Sequence, residues 1–335
     1  MTDSLRLGII GAGAVFQVAH LPVLRKLKGV ELAGFCDADL AKARALASRH
    51  GVANVYDDIE DLFTHESPDA VLICTPNHLH EVHTLTALAA GAHVLVEKPF
   101  ALSVRAAERV ARQADKSGKV VMVGVNHRYR SDSQAIRSFV QSGELGALDS
   151  LQAGWHMARP SRAPLGWRQR REESGGGAML DLGLTLIDLC LWLAGNPTPV
   201  RVSASLGGRS ERSVEQSGCA LIHCEGGLSV FVDVTWRHIG EGEHFGAGVR
   251  GAKGSASMNP LRVWKEMHGV THDVSPTSSL SREGIFQASF RAQWAHFLAA
   301  IDGKAPVPPL EEAVTALRVL EAIYRSATEG QDITL

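Results

Sequence analysis

The chain has 335 residues, of which 45% are hydrophobic and 21% charged, and its formal net charge is −2. This length is enough for two domains with substantial cores. The 34 basic residues are balanced by 36 acidic ones and form no long runs, which argues against a nucleic-acid partner. The five cysteines form no C-x-x-C pair, so we expect reduced thiols in a cytoplasmic protein.

The N-terminus reaches a strand pattern almost at once, and no basic-then-apolar signal peptide precedes it. The most apolar window, residues 179–194, carries two aspartates and is shorter than the roughly 20 residues that a membrane span needs. We therefore expect no membrane partner.

An apolar run over residues 5–10 predicts the first strand, and a glycine-rich turn and a helix through Lys26 follow it. Glycines after a strand let the backbone turn tightly and approach a pyrophosphate, whose charge then rests on the helix N-terminus. The G-x-G-x-x-G pattern is incomplete, because Phe16 stands at the third glycine. A simple tight turn is therefore the alternative to a dinucleotide site made of Gly11, Gly13, Ala14, Val15 and Phe16.

The second predicted strand, residues 30–36, ends on Asp37, where a carboxylate can accept hydrogen bonds from an adenosine ribose. No Lys or Arg that could receive a 2′-phosphate follows before Lys42, so the sequence favours NAD over NADP. The alternative role of Asp37 is the N-cap of a helix over residues 41–50.

The third predicted strand, residues 70–74, leads into a polar loop and a helix through Ala90. In a doubly wound sheet, ligands lie beyond the carboxyl ends of the strands, so this loop is expected to face the cofactor. The residues assigned to it are Thr75, Pro76, Asn77 and His80. His78, His80 and His83 have only Glu81 as an acidic neighbour, so we predict no metal site.

The fourth predicted strand, residues 93–96, stops at Glu97-Lys98-Pro99. Hydride transfer from an alcohol carbon to NAD⁺ needs a group that accepts the hydroxyl proton, and an amine at this strand end is suited to that role. The alternative is a surface ion pair between Glu97 and Lys98. A helix over residues 104–117 and a strand over residues 120–125 complete this half, and Asn126 and Arg128 follow as candidate cofactor and substrate residues.

These motifs together resemble the Gfo/Idh/MocA family, named for glucose-fructose oxidoreductase, inositol dehydrogenase and rhizopine catabolism. The glycine loop, Asp37, Thr75-Pro76-Asn77 and above all Glu97-Lys98-Pro99 carry the resemblance. It extends over the whole chain, through residues 174–177, the Asp181-x-Gly183 motif and residues 321–327.

The resemblance implies an α/β Rossmann domain over residues 1–125, followed by an α+β domain over residues 126–335 with a mainly antiparallel, open-faced sheet. It implies contacts through that sheet in a homodimer or homotetramer. It also implies an NAD-dependent dehydrogenase that moves a hydride between nicotinamide and a sugar, a polyol or a related cyclic hydroxy compound. Lys98 is then the general acid/base, and Glu97 lies at the cofactor.

The second half contains alternating patterns that predict strands over residues 148–158, 200–206, 218–224, 228–237 and 245–249. Late helices are predicted over residues 291–301 and 311–328. Between the first two strands, residues 159–171 carry five arginines that could meet an anionic substrate, although a solvated loop is an equal alternative. Within this loop we place Trp167 and Arg168 at the substrate, because an aromatic face can cover the apolar face of a polyol.

A nearly continuous apolar helix over residues 174–195 carries Asp181, Thr185 and Asp188 at i, i+4 and i+7, on one face. The resemblance implies the pattern Asp-x-Gly-x-His-x-x-Asp here, and Thr185 occupies the histidine position. A threonine cannot titrate near neutral pH, and its hydroxyl could simply bond back to the carbonyl of Asp181.

This departure leaves three functions open. The first is a dehydrogenase with Lys98, Asp181 and Thr185 as catalytic residues. The second is a sensor that binds NAD or a sugar without turnover, and the third is an NAD-assisted enzyme that cleaves glycosides. Asp188 is either part of the site or a structural carboxylate that anchors the helix.

Overall fold

The computed structural model describes residues 4–157, 166–208, 214–276 and 284–335. The chain folds as two compact units. The first unit comprises Met1–Asn126 and Phe286–Glu311, and the second comprises His127–Ile285 and Glu312–Leu335. The sequence analysis placed a single boundary after residue 125, whereas the first compact unit also contains residues 286–311.

The regular elements alternate between strands and helices up to residue 141, and strands dominate from there to residue 273. The strands are β1 Leu5–Ile10, β2 Val30–Cys36, β3 Val55–Tyr56, β4 Ala70–Ile73, β5 His93–Glu97, β6 Val121–Gly124, β7 Leu148–His156, β8 Pro199–Gly207, β9 Ser217–Cys224, β10 Ser229–Thr235, β11 His244–Gly251, β12 Gly254–Ser257, β13 Arg262–Met267, β14 Val270–Asp273 and β15 Ile333–Thr334. The α-helices are α1 Leu21–Leu24, α2 Leu40–His50, α3 Ile59–Glu66, α4 His80–Ala89, α5 Val104–Ser117, α6 Ser131–Gln141, α7 Arg171–Ser174, α8 Leu184–Leu193, α9 Ile285–Ile301 and α10 Leu310–Glu329. Two π-helical turns, Phe16–His20 and Met179–Gly183, directly precede α1 and α8.

The first unit is built on a six-stranded sheet in the order β3-β2-β1-β4-β5-β6. All five neighbouring pairs are parallel. The central strand β4 is buried at every residue, as expected where helices cover both faces of a parallel sheet. From β1 the chain adds strands β2 and β3 toward one edge of the sheet, and from β4 it adds β5 and β6 toward the opposite edge. In such sheets, ligands bind at the carboxyl ends of the strands where this order reverses. The predicted Rossmann architecture is confirmed.

Helix α9 packs on this first unit. Phe290, Trp294 and Phe297 are fully or almost fully buried in one apolar cluster with residues of β1 and β2, such as Ile9 and Phe35. The sequence predicted the helix but assigned it to the second domain. Its apolar residues show that it is buried, but they do not identify the sheet that buries it.

The second unit is built on a nine-stranded sheet in the order β14-β13-β12-β11-β7-β10-β9-β8-β15. Neighbouring strands are antiparallel except for the parallel pair β7 and β10. In β10, Val230, Val232 and Val234 are buried and Phe231 between them is 45% exposed, so one face is covered and the other open. Helix α8 packs against β7 and β10. The predicted α+β fold with an open-faced sheet is confirmed.

Within the described ranges, one helical stretch, Arg171–Leu193, is long and apolar enough to cross a membrane. Most of its apolar window, 89%, is buried inside the fold. That degree of burial is typical of a core helix, which packs against protein rather than lipid.

Candidate active site

The two glycines of the first loop serve different purposes. Gly11 has φ +96°, and a Cβ there would lie 2.6 Å from the carbonyl carbon of Cys74 and 2.7 Å from the nitrogen of Thr75. Only glycine fits this position, because both its conformation and the backbone opposite exclude a side chain. Gly13 has no positive φ, and a Cβ there would have no atom of the described residues within 4 Å. The open space in front of Gly13 fits the close approach of a pyrophosphate that the motif predicts.

Phe16, at the position of the missing third glycine, is fully buried. Its ring packs edge-on against Phe35 with 5.4 Å between ring centroids. The prediction that Phe16 contacts the cofactor is therefore wrong for its side chain, which belongs to the core. Ala14 is exposed and Val15 is partly exposed at the start of the helix, where a ligand could reach them.

Asp37 is tied to the glycine loop. One carboxylate oxygen accepts a hydrogen bond from the backbone nitrogen of Ala12 at 2.8 Å. The other oxygen accepts from the nitrogen of Asp39 and forms a 2.9 Å ion pair with Lys42. The N-cap of α2 is Asp39, whose side chain accepts from the nitrogen of Lys42, so the alternative role of Asp37 as that cap is wrong. The structure leaves Asp37 beside the glycine loop, as a ribose-binding carboxylate requires.

His80 joins two loops at the carboxyl edge of the sheet. His80 is 1% exposed. Its Nδ1 lies 2.7 Å from the carbonyl of Pro99, and its Nε2 lies 2.8 Å from the carbonyl of Thr75. Burial lowers the pKa of His80, although the two carbonyls and Glu97 act in the opposite direction. Because both ring nitrogens are engaged within the protein, His80 positions the Thr75 and Pro99 loops rather than contacting the cofactor as predicted.

The rest of the predicted loop lies beside it. Thr75 Oγ1 is 3.2 Å from Nδ1 of His83. Burial lowers the pKa of His83 to about 4, so this imidazole is neutral at pH 7. Pro76 leads into a 3₁₀ turn over Asn77–Leu79, and Asn77 is 7% exposed.

Glu97 is the last residue of β5, and its side chain is only 12% exposed. Its Oε1 lies 2.9 Å from Nε2 of His20, and its Oε2 accepts a 3.3 Å hydrogen bond from the backbone nitrogen of Lys98. A Cβ at Gly124 would lie 2.7 Å from Oε1, so the glycine leaves room for the carboxylate. This burial excludes the alternative in which Glu97 belongs to a surface ion pair. Lys98, partly exposed, follows at the strand end where ligands bind.

Asn126 is held by the returning helix. Its Nδ2 donates a 3.0 Å hydrogen bond to Ser289 Oγ, which in turn donates to the carbonyl of Phe286 at 2.7 Å. Ser289 is fully buried. The amide of Asn126 is therefore oriented by a helix that is distant in sequence, and its contact with the cofactor stays a prediction.

In the second unit, Glu215 fixes the start of the helix that bears Asp181. Glu215 is 1% exposed, and its Oε1 accepts hydrogen bonds from the nitrogens of Gly177 and Met179 and from Tyr324 Oη, at 2.9, 3.1 and 2.7 Å. Burial and the nearby Glu215 raise the pKa of Tyr324 well above its usual range. A carboxylate at a helix N-terminus is stabilised by free N–H groups and by the helix dipole.

This carboxylate explains the run of glycines. A Cβ at Gly176 would overlap Tyr324 Oη, and a Cβ at Gly177 would overlap the carbonyl oxygen of Glu215. The sequence reasoning missed Glu215 and assigned no role to Tyr324. The signal in the sequence was the glycine run itself, which indicates close approach without naming the partner.

The predicted polar face of this helix is altered by the π-helical turn Met179–Gly183, which closes with the nitrogen of Leu184 bonded to the carbonyl of Met179. The wider turn shifts Asp181 from the regular i, i+4 alignment with Thr185. Asp181 is partly exposed, whereas Thr185 is 6% exposed. Thr185 Oγ1 has no hydrogen-bond partner among the residues that the structure describes, so the expected bond back to the Asp181 carbonyl is not formed.

Asp188 is a structural carboxylate. It is 5% exposed and accepts two hydrogen bonds from Arg128, from Nε at 2.8 Å and from Nη2 at 2.5 Å. Arg128 Nη1 also donates to Glu312. Burial acts to lower the pKa of Arg128, but the two carboxylates outweigh it and raise the pKa. The structure thus engages Arg128 inside the second unit, which contradicts its predicted role at the substrate.

Trp167 and Arg168 lie together in the 3₁₀ turn Gly166–Gln169. The guanidinium carbon of Arg168 lies 4.5 Å from the centre of the Trp167 ring, a cation–π contact. Both side chains are partly exposed. Residues 159–165 of the arginine-rich segment fall outside the described residues.

Comparisons with known proteins agree with this geometry. Residues 5–125 match the "Oxidoreductase family, NAD-binding Rossmann fold", and residues 133–257 match the "GFO/IDH/MocA C-terminal domain". The chain belongs to the Gfo/Idh/MocA family. It is therefore an oxidoreductase of a family with an NAD-binding Rossmann domain, as the motifs predicted.

Two relatives of the chain are named as sugar oxidoreductases. The chain is 30% identical to the D-glucoside 3-dehydrogenase of Escherichia coli K12, over 100% of this chain and 99% of that protein. It is 27% identical to the 1,5-anhydro-D-fructose reductase of Ensifer adhaerens, over 97% of each. The structure of GenD2 from gentamicin A biosynthesis, solved in complex with NAD, is 26% identical with a TM-score of 0.86, over 100% of this chain and 97% of that one.

Proposed function

We propose that this protein is an NAD-dependent dehydrogenase that oxidises a secondary hydroxyl of a sugar, a polyol or a related cyclic compound, or reduces the corresponding ketone. The observation that carries the proposal is Lys98, placed directly after β5 at the edge of the sheet where ligands bind. The D-glucoside and anhydrofructose enzymes among its relatives support a cyclic sugar as the substrate class.

The cofactor is proposed to be NAD rather than NADP. The open space before Gly13 accommodates the pyrophosphate, and Asp37 beside the loop accepts the ribose hydroxyls. A 2′-phosphate next to that carboxylate would meet like charge, which Lys42 offsets only in part, since Lys42 is already paired with Asp37.

The chemistry of the chain's own residues follows from their positions. When bound, NAD supplies the hydride acceptor. The amine of Lys98 accepts the proton of the substrate hydroxyl during oxidation, and it returns the proton in the reverse reaction. Asp181 and Thr185 of the second unit are proposed as substrate contacts. The buried hydroxyl of Thr185, which has no hydrogen-bond partner within the described part of the chain, supports this, because such groups are otherwise costly.

The test is NADH formation over a panel of methyl glucosides, inositols and anhydrosugars, with mass spectrometry of the products. We expect a ketone two mass units lighter than its substrate. Lys98→Met is expected to lower turnover about 10²- to 10⁴-fold, the usual contribution of a positioned general base. Lys116→Met, at an exposed position of α5, is the matched control and should keep full turnover.

Other outcomes would identify the alternative functions. Tight NADH binding without consumption of any sugar would indicate a sensor. Release of an aglycone from a glucoside without net NADH would indicate NAD-assisted glycoside cleavage. Equal turnover by Lys98→Met and the native protein would refute the role of Lys98.

A further inference from the structure

Three buried side chains of the first unit form a chain of hydrogen bonds that ends at the residue before Lys98. Trp294 Nε1 donates to Nδ1 of His20 at 3.0 Å, and Nε2 of His20 lies 2.9 Å from Oε1 of Glu97. Trp294 and His20 are fully buried. The mechanism proposed above uses neither of them.

The local structure places His20 in this chain. His20 is the last residue of the π-helical turn Phe16–His20, at the end of the helical segment that follows the glycine loop. Two aromatic rings of α9 pack edge-on against the imidazole, Phe290 at 4.9 Å and Trp294 at 5.9 Å between centroids. The returning helix therefore holds the ring in place as well as bonding to it.

The donor chemistry fixes one tautomer of His20. An indole nitrogen can only donate, so Nδ1 of His20 must be the acceptor and carries no proton. The single ring proton is then on Nε2, which donates to Glu97. A second proton on Nδ1 would place two N–H groups against each other at 3.0 Å. Trp294 thus selects the Nε2–H tautomer of His20, and the carboxylate of Glu97 accepts a hydrogen bond from this ring.

The position of Glu97 in turn affects the backbone at Lys98. While Oε1 is held by His20, Oε2 accepts from the backbone nitrogen of Lys98 at 3.3 Å. Gly124 leaves the room that this carboxylate position needs, since a Cβ there would lie 2.7 Å from Oε1. His80 is a second titratable ring near Glu97, and its Nδ1 lies 2.7 Å from the carbonyl of Pro99, the residue after Lys98.

We propose that His20, held in its Nε2–H tautomer by Trp294, is a positioning residue that orients Glu97 and thereby the backbone that presents Lys98. The catalytic consequence rests on the function proposed above, whereas the tautomer and its dependence on Trp294 do not. Misplacement of a reacting group by about 1 Å typically costs about 10²-fold in rate. The role therefore predicts a loss of kcat with little change in NADH affinity.

Three variants separate positioning from stability. His20→Gln keeps an N–H donor toward Glu97, His20→Leu removes it, and Trp294→Phe removes the indole N–H but keeps an aromatic ring. The matched control is Trp264→Phe, at a 41% exposed tryptophan of β13. Each variant is measured by urea unfolding, NADH titration and kcat, and the histidine ring nitrogens are observed by ¹H–¹⁵N NMR in the absence of cofactor and substrate.

In the native protein we expect a ring whose NMR signals show a proton on Nε2 only, and His20→Gln identifies it by removing those signals. In Trp294→Phe, we expect the ring to lose this single-tautomer pattern. We expect kcat to fall about 10- to 100-fold in His20→Leu and in Trp294→Phe, with a less than threefold change in the NADH Kd, and to recover in His20→Gln. The Trp264→Phe control should match the native protein in each measurement.

Specific results would overturn the proposal. An Nδ1–H tautomer or an imidazolium in the native protein, or an unchanged tautomer in Trp294→Phe, would refute the hydrogen-bond chain, whether or not a substrate is known. If His20→Leu does not fold, Trp294→Phe and His20→Gln still give a result. Lower stability with unchanged kcat in Trp294→Phe would show a purely structural role. Failure of all turnover in the native protein would refute the proposed function but would leave the tautomer result intact.

Discussion

Replacing Gly13 by alanine should weaken NAD binding without harming the fold. No atom of the residues that the structure describes lies within 4 Å of the Cβ that alanine would add, and the backbone there has no positive φ. An alanine that fits its backbone conformation stabilises a protein by about 0.4–1 kcal/mol, because the unfolded chain loses freedom. The apo protein should therefore be as stable as the native one or slightly more stable.

The cost appears only when a pyrophosphate lies against this backbone. Forcing an extra methyl group into a packed contact costs about 1–3 kcal/mol. Since 1.4 kcal/mol is a factor of ten, the Kd for NADH should rise about 5- to 150-fold. Fluorescence titration of NADH and urea unfolding of the same preparations measure both quantities.

Gly11→Ala is the matched comparison. Its Cβ would lie 2.6 Å from the backbone of Cys74, in a conformation with φ +96°, so strain and overlap should destabilise the fold by about 2–5 kcal/mol. Native NADH affinity in Gly13→Ala would refute the placement of the pyrophosphate at this loop. A large loss of apo stability in Gly13→Ala would refute the claim that the space is open.

Three further predictions concern single side chains. Thr185→Val removes a buried hydroxyl without a partner among the described residues, so the free energy of unfolding should stay the same or rise by about 1 kcal/mol. If Thr185 contacts the substrate, kcat/KM should fall, and a native kcat/KM would refute that contact. Gly176→Ala should lower the free energy of unfolding by about 1–3 kcal/mol, because its Cβ would overlap Tyr324 Oη. In a background of Tyr324→Phe, which lacks that oxygen, the same substitution should lower it by at least about 1 kcal/mol less, and additive losses in the double-mutant cycle would contradict this contact. Because burial lowers the pKa of His83 to about 4, the fold favours its neutral form, and the stability gained above pH 6.5 is lost as the pH falls from 6.5 toward 4. Between pH 7.5 and pH 5 the free energy of unfolding of the native protein should fall by about 1–2 kcal/mol more than that of His83→Gln. Equal falls in urea unfolding would contradict a lowered pKa for His83.

The parts of the fold that depend on local pattern were predictable. Short apolar runs followed by polar loops identified β1, β2, β4 and β5, and alternation identified β7 to β11. The chain's return to the first unit through α9 was not predictable, because burial of an apolar helix carries no information about which sheet buries it. The π-helical turns were also missed, since a single widened turn leaves the residue types unchanged.

In the candidate site, too, the sequence indicated the residues whose role depends on local position and missed the partners that come from distant parts of the chain. Gly11, Asp37 and Lys98 could be proposed from the sequence because the chemistry expected of them follows from their place after a strand. The errors at Arg128 and His80 have another cause: both are polar residues beside the motifs, but their partners, Asp188 and the carbonyl of Pro99, come from elsewhere in the chain. Buried polar groups find partners through tertiary structure, which spacing along the sequence does not encode.

The most direct test of the central claim is the transfer of hydrogen itself. A methyl glucoside or inositol that the protein oxidises is prepared with deuterium on every ring carbon and incubated with NAD⁺, and the reduced cofactor is analysed by mass spectrometry. We predict that it carries one deuterium, and that Lys98→Met forms it at least about 10²-fold more slowly while binding NADH with native affinity. Reduced cofactor without deuterium, or labelling at the native rate by Lys98→Met, would contradict hydride transfer assisted by this lysine.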